Sequence, residues 1–391
     1  MVVIAALLLA VGYFLGVAFF QNAIGGLVIA FIVWAIMSLI AYFQGDSILL
    51  SLAKARKISS DDAPQLYNVV EEMKIASGLP KMPDVYIIDD PALNAFATGR
   101  SPEKASVAIT SGLLQKLNRD ELQGVIGHEM SHVKNRDVLL MSIAGVMLGT
   151  IVILSWYASR FMIYGAMTSG NRRSSSRNNS GAGTVIVLVV GLVLMILAPI
   201  AAQLIYFAIS RKREYLADAS SALYTRYPEG LASALEKLAA STGELKSANQ
   251  ATAPMYIVNP LHKEGRAATD LTSTHPPISE RIRILRAMAG GASYADYENA
   301  YRQVHSGKSI LSQQTVAGAA GAVGIRAASV SKPGEIAVSE KSAKTREVSD
   351  MMLRLNNYRM VDCECGARWK IPPGFRDETI RCTRCGRTLK V

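Results

Sequence analysis

The chain has 391 residues, half of them hydrophobic and 19% charged, with a formal charge of +11 and four cysteines. This composition excludes a disordered polar chain, and the length leaves room for more than one domain. Lys and Arg gather on the cytoplasmic flanks of membrane helices, so the positive charge needs no nucleic acid to explain it.

Four stretches reach the ~20 apolar helical residues that a bilayer core of about 30 Å requires: residues 2–20, 26–43, 138–157 and 184–209. None contains a charged side chain, and Pro199 is expected to kink the fourth. No basic residue precedes the first apolar run, so it reads as a retained span, not a secretory signal. The loop over residues 21–25 is short enough to make the first two spans a hairpin.

Residues 44–137 are polar, carry 11 Lys and Arg, and read as α/β. A helix is expected over 63–77, strands over 84–88 and 105–110, and an extended stretch over 93–98. Turns are expected at Gly78-Leu79-Pro80 and at Thr98-Gly99-Arg100. Residues 170–183 are too polar to fold and read as a flexible loop. Helical pattern returns over 210–291, with amphipathic segments at 211–224 and 230–242. Residues 306–345, rich in Ala, Gly, Ser and Val, read as a linker, and 351–391 as a small cysteine-bearing module.

The run His128-Glu129-Met130-Ser131-His132 is H-E-x-x-H on a helical background. Positions four apart lie about 40° apart around a helix, so both imidazoles can face one ion. Glu129 is turned about 100° away and suits the general base that activates water. A catalytic zinc keeps three protein ligands and one open position, and no third histidine follows at metzincin spacing. A carboxylate on another helix is therefore expected, and the candidate is Glu214, with Asp218 one turn on to orient a ligand imidazole.

Four motifs in fixed order resemble the HtpX-like membrane metallopeptidases, relatives of the CAAX prenyl proteases. They are Asn94-Ala95-Phe96-Ala97, His128 to Asp137, Arg213 to Asp218, and His275-Pro276-Pro277-Ile278-Ser279-Glu280-Arg281, and the likeness covers about residues 1–290. The resemblance implies an α-helical membrane protein with a mainly α, α+β gluzincin-type peptidase domain, Zn²⁺ as cofactor, and cleavage of membrane or misfolded proteins in quality control. It implies that Asn94, Ala95, Phe96 and Ala97 belong to an edge strand that pairs with the substrate backbone. It also implies that His275 and Arg281, as imidazolium and guanidinium, meet the oxyanion. His262 and His305 fall outside every motif and read as surface residues.

All four cysteines lie near the C-terminus, in Cys363-Glu364-Cys365-Gly366 and Cys382-Thr383-Arg384-Cys385-Gly386. This approaches the zinc-ribbon pattern, except that the first pair is C-x-C, one residue short. Four thiolates suit a closed structural zinc site, so a second ion is expected; redox-active disulfides are the rival. The module's basic residues suit anionic lipid, nucleic acid or an acidic protein partner.

Two function classes remain: a membrane zinc endopeptidase, favoured by the intact Glu129, and a non-catalytic membrane scaffold that recruits a partner through the ribbon. For the peptidase, His132 and Glu214 must share one side although two apolar spans separate them. An even number of crossings then puts both termini and the active site on one face, and the Lys and Arg of residues 44–137 make it the cytoplasmic face of the plasma membrane, with a re-entrant hairpin over 138–209 as the alternative to two full crossings. The loop carrying Arg172, Arg173 and Arg177 would lie outside, against the charge rule, but ligand geometry is the stronger constraint.

Overall fold

The computed structural model describes residues 2–20, 22–168, 181–241, 256–258, 275–288, 290–318, 323–329 and 338–391. The polar loop read over 170–183 lies mostly outside them, as does His262.

Helix α1 (Val2–Phe20) turns at Asn22, whose side chain caps the next helix, into α2 (Ala23–Leu52). The two cross without side chains between them, because a Cβ on Gly26 would fall 2.4 Å from Gly16 Cα and 2.3 Å from the Gly12 carbonyl oxygen. After β1 (Arg56–Lys57) come α3 (Pro64–Ser77), β2 (Asp84–Ile88), β3 (Ala95–Ser101), β4 (Lys104–Thr110), α4 (Ser111–Lys116) and α5 (Arg119–Lys134). The sheet runs β1-β2-β4-β3, with β2 and β4 parallel and β3 antiparallel to β4, so β3 is an edge. Asn118 and Glu121 form a capping box that fixes where α5 starts.

The turn expected at Thr98-Gly99-Arg100 is not there. Those residues continue β3, with a register shift between Gly99 and Ser101, and the chain reverses over Pro102 and Glu103. Gly99, at φ +126°, supplies the backbone freedom of a bulge, a signal that composition does not separate from a turn.

Helix α5 ends at Asn135, and Arg136, at φ +55°, redirects the chain into α6 (Asp137–Thr168). Helix α7 (Gly181–Thr225) runs unbroken through Pro199 and carries the last apolar stretch and Glu214 on one helix. Among the described residues two helices are long and apolar enough to cross a bilayer, Ala23–Leu52 and Asp137–Trp156, and Val2–Val17 is a shorter apolar helix. Then follow α8 (Pro228–Ala239), α9 (Ile278–Arg286), α10 (Tyr294–Val304), α11 (Gln313–Gly318) and α12 (Val338–Leu355). Hairpins β5 (Arg359–Asp362) with β6 (Arg368–Ile371) and β7 (Thr379–Arg381) with β8 (Thr388–Lys390) end the chain.

The main core lies between α3, the sheet, α5, the end of α7 and α8. Part of the segment read as linker also packs onto it. Arg326 donates to Asp120, Gln123 and the Thr225 carbonyl, tying the start of α5 to the end of α7. Val348, Met351 and Met352 of α12 are buried in the core, and Lys344 donates to the Leu117 carbonyl. Asp350 holds Arg368 and Lys370, which fastens the cysteine module to α12. Arg326 makes its bonds singly, so an Ala- and Gly-rich composition hides them, whereas Val348, Met351 and Met352, at i, i+3 and i+4 just past the segment read as linker, follow the helical period.

Candidate active site

His128 and His132 project from α5 and Glu214 from α7, and their ligand atoms lie within 4.8 Å of one another. The two Nε2 atoms are 3.2 Å apart, His128 Nε2 is 3.5 Å from Glu214 Oε2, and His132 Nε2 is 3.4 Å from Glu214 Oε1. Bonds of about 2.0–2.1 Å at tetrahedral angles put donor atoms about 3.3 Å apart, so this donor set fits zinc.

Each imidazole is turned inward by a carboxylate at its other nitrogen. Asp218 Oδ1 lies 3.0 Å from His128 Nδ1, and Asp137 Oδ2 lies 3.0 Å from His132 Nδ1. An arginine grips each carboxylate in turn. Arg281 forks onto Asp218 at 2.8 and 2.7 Å, and Arg213 Nε meets Asp137 at 3.0 Å. Such outer carboxylates fix the tautomer, leaving Nε2 lone pairs facing the centre. Asp137 and Arg213 stand inside motifs quoted from the sequence, but nothing in their spacing assigned them a role. A carboxylate five residues after the second histidine, at the first turn of an apolar helix, is the signal that finds Asp137.

The charges agree with the geometry. Glu129, Glu214, Asp137 and Asp218 are all nearly buried, against two guanidinium groups, which leaves a surplus of negative charge for a divalent ion. Burial opposes protonation of His128 and His132, yet the carboxylates around them push both upward. Burial likewise raises Glu214, but His275 and the two ligand imidazoles hold it well below the usual carboxylate range. Glu129 is raised by burial, partly offset by the imidazoles, and accepts a hydrogen bond from the Ala97 backbone. A raised carboxyl is the better base near neutral pH.

His275 lies just before α9, with Nε2 3.8 Å from Glu214 Oε1. Burial and the neighbouring Arg281 push it down to about 4, so it is a neutral imidazole where the sequence reading had an imidazolium. Arg281 is fully buried, and besides Asp218 it reaches the Ile257 carbonyl at 3.2 Å and Glu214 at 3.4 Å. It therefore sits behind the ligands. His305 is not a free surface residue: it pairs with Glu280 at 2.9 Å and stacks on Tyr301.

The four residues read as a substrate strand divide. Asn94 uses its side chain on the Val258 carbonyl at 2.9 Å, and Phe96 packs edge-on against Tyr256, with ring centroids 5.1 Å apart. The Ile257 N–H bonds to the Ala95 carbonyl at 3.0 Å and caps that end of the β3 edge. Sequence reasoning missed this contact, since residues 256–258 are far from β3 along the chain.

In the C-terminal module the four thiols also lie within 4.8 Å of one another, all as free cysteines. Cys363 and Cys385 sulfurs are 3.4 Å apart and those of Cys365 and Cys382 3.7 Å, near the roughly 3.8 Å of tetrahedral bonds of about 2.3 Å. Gly366 and Gly386, at φ +81° and +78°, close the two knuckles despite the short first pair.

The profile of peptidase family M48 matches residues 60–289. The protease HtpX homologue of Dictyoglomus turgidum is 49% identical over 272 residues, covering 70% of this chain and 85% of the relative. That of Streptococcus uberis is 45% identical over 282 residues, covering 72% and 93%. Among solved structures, the crystal structure of S. mikatae Ste24p aligns with a TM-score of 0.39 at 23% identity, covering 72% of this chain and 62% of that one. The matched span runs from α3 to the end of α9 and so contains the histidines, the carboxylates and the arginines just described. With the family profile over more than half of its length and relatives near half identical across most of theirs, the chain belongs to peptidase family M48, as a membrane zinc metalloprotease.

Proposed function

We propose that His128, His132 and Glu214 hold one zinc ion and that Glu129 is the general base of an endopeptidase acting on membrane or misfolded proteins in quality control. The observation that carries this is the convergence of two inward-facing Nε2 atoms and one carboxylate at tetrahedral spacing, beside a buried carboxyl that does not join them. When bound there, zinc supplies a Lewis acid toward water and the scissile carbonyl. Glu129 takes a proton from the attacking water and passes it to the leaving amine. His275 donates its neutral N–H to the oxygen that becomes negative, and Arg281 acts through Asp218 to hold His128 in place. Ala97, on the outer edge of β3, aligns the substrate backbone with Glu129.

The chain acts on protein substrates as a membrane protein, and four spans with the site on the cytoplasmic face are the topology that fits. Helices α6 and α7 place Asp137 at the start of one apolar stretch and Glu214 after the end of the other, which supports an even number of crossings. A second zinc in the cysteine module would be structural, with no open position, and the module's exposed basic residues suit an acidic partner or anionic lipid. Digestion of a loosely folded membrane protein by the full chain and by Glu129→Gln, with zinc measured in both, tests the central assignment. Loss of cleavage with zinc retained is expected; cleavage at the wild-type rate by Glu129→Gln would overturn it.

A further inference from the structure

The outer edge of β3 leads somewhere. Asn94 and Thr110 exchange hydrogen bonds on the β4 side, so by the alternation of an antiparallel ladder Ala95, Ala97 and Gly99 turn their backbone groups outward. Ala95 is capped by Ile257, and the Ala97 N–H meets Glu129. From there the edge runs away from the ligands into a cleft between α2 and α6, lined by Tyr42, Gly45, Thr98, Gly99, Arg100 and Ser142.

This cleft stands at the level of the membrane surface. The apolar run of α2 ends at Phe43, before Gln44 and Asp46, and that of α6 begins at Val138, directly after Asp137. The Arg100 guanidinium lies over Tyr42 and Phe43, 5.3 and 5.4 Å from their ring centres, the arrangement of a cation beside interfacial aromatics. The cleft itself is narrow, about 10 Å³, and opens beside Gly45, where a Cβ would meet nothing within 4 Å. It also holds an unmet polar group. The Thr98 hydroxyl is buried without a hydrogen-bond partner among the described residues.

We propose that this cleft is where the backbone of a membrane-anchored protein substrate, unwound just outside its own transmembrane helix, leaves the bilayer and joins the β3 edge. The inference rests on the peptidase reading above and adds the route. A chain leaving its helix near lipid has peptide groups that water no longer satisfies. Gly99 and the Ala97 carbonyl on the β3 edge, with the Thr98 hydroxyl, take up such groups and draw the segment toward Glu129 as an added strand. The site thus favours a bond a few residues from a membrane anchor over the same bond in a free peptide.

The test uses the full zinc-loaded chain in vesicles of phosphatidylethanolamine and phosphatidylglycerol. One reporter carries an unstructured segment on a single membrane helix; the other is the same segment as a soluble peptide. Gly45→Leu and Ser142→Leu narrow the cleft, and each should lower cleavage of the anchored reporter about tenfold relative to the soluble one, the loss expected from blocking one or two main-chain hydrogen bonds. In a Glu129→Gln background, a photo-crosslinking residue at Leu139 should capture the reporter next to its anchor. Equal loss on both reporters, no loss on either, or crosslinks absent from the anchor-proximal residues would overturn the route. A zinc-bound wild type that cuts neither reporter would instead overturn the peptidase reading on which the route depends.

Discussion

Asp218 stands between Arg281 and His128: its two oxygens take the guanidinium at 2.8 and 2.7 Å, and Oδ1 lies 3.0 Å from His128 Nδ1. All three side chains are fully buried. Asp218→Asn keeps the shape and removes the charge that holds the His128 tautomer. Zinc affinity should fall about 10-fold to 100-fold, the usual cost of losing an outer carboxylate, as read by competition with a chelator. Unchanged affinity would show that Asp218 serves packing alone.

Arg281 and Arg213 do the same job in different surroundings, and their substitutions should differ accordingly. Arg281→Ala leaves Asp218 and Glu214 buried without their cation, a loss of about 3–5 kcal/mol of stability. Arg213 has a side chain 28% exposed, so solvent screens what its loss leaves on Asp137. Thermal unfolding of the two variants should therefore separate clearly, with Arg281→Ala much the lower. Equal shifts would contradict the difference in burial.

How much of this is legible in the sequence depends on range. His128 and His132 follow from a four-residue spacing on one helix, and Glu214 and Asp218 from the same spacing on another, so local periodicity reveals each half of the site. The Arg281 fork onto Asp218 and the Ile257 cap on Ala95 join segments far apart in the chain and leave no periodic trace. The same holds for Arg326, whose bonds to Asp120 and Gln123 lie hidden in a stretch that composition reads as linker. The membrane helices are legible as apolar runs and 211–224 as a helical segment, but not that the last run and that segment are one helix, α7. Nothing marks a break there because Arg211, Lys212 and Arg213 are good helix formers.

His275 gives a kinetic prediction. Removing a single oxyanion donor costs about 10²-fold to 10³-fold in rate, so His275→Ala should lower kcat by that order with zinc content unchanged. Because burial and Arg281 hold His275 near 4, it stays neutral above that pH and binds no proton in the neutral range. The limbs of the pH–rate profile between about pH 5 and 9 should therefore keep their positions in the variant. A limb that moves would assign a proton-transfer role to His275, and loss of zinc would place it among the ligands.

Where the chain is cut at its C-terminus decides what is lost. A break after Thr345 removes Val348, Met351 and Met352 from the core, each less than a tenth exposed. Burying a side chain of that kind contributes about 1.5–3 kcal/mol, so the three together approach the whole stability of an ordinary domain. Protein ending at Thr345 should unfold at markedly lower temperature and lose activity with it. A break after Asn357 keeps all of α12 and takes away only the two hairpins and their four cysteines. It also frees Asp350 from Arg368 and Lys370, contacts between partly exposed groups that contribute little. The chain ending at Asn357 should therefore hold one zinc where the full chain holds two, and still cleave an unfolded soluble substrate at close to the full rate. Metal analysis and a peptidase assay on the two truncations check this. Equal loss of activity from both cuts would mean that the cysteine module, and not α12, sustains the active site.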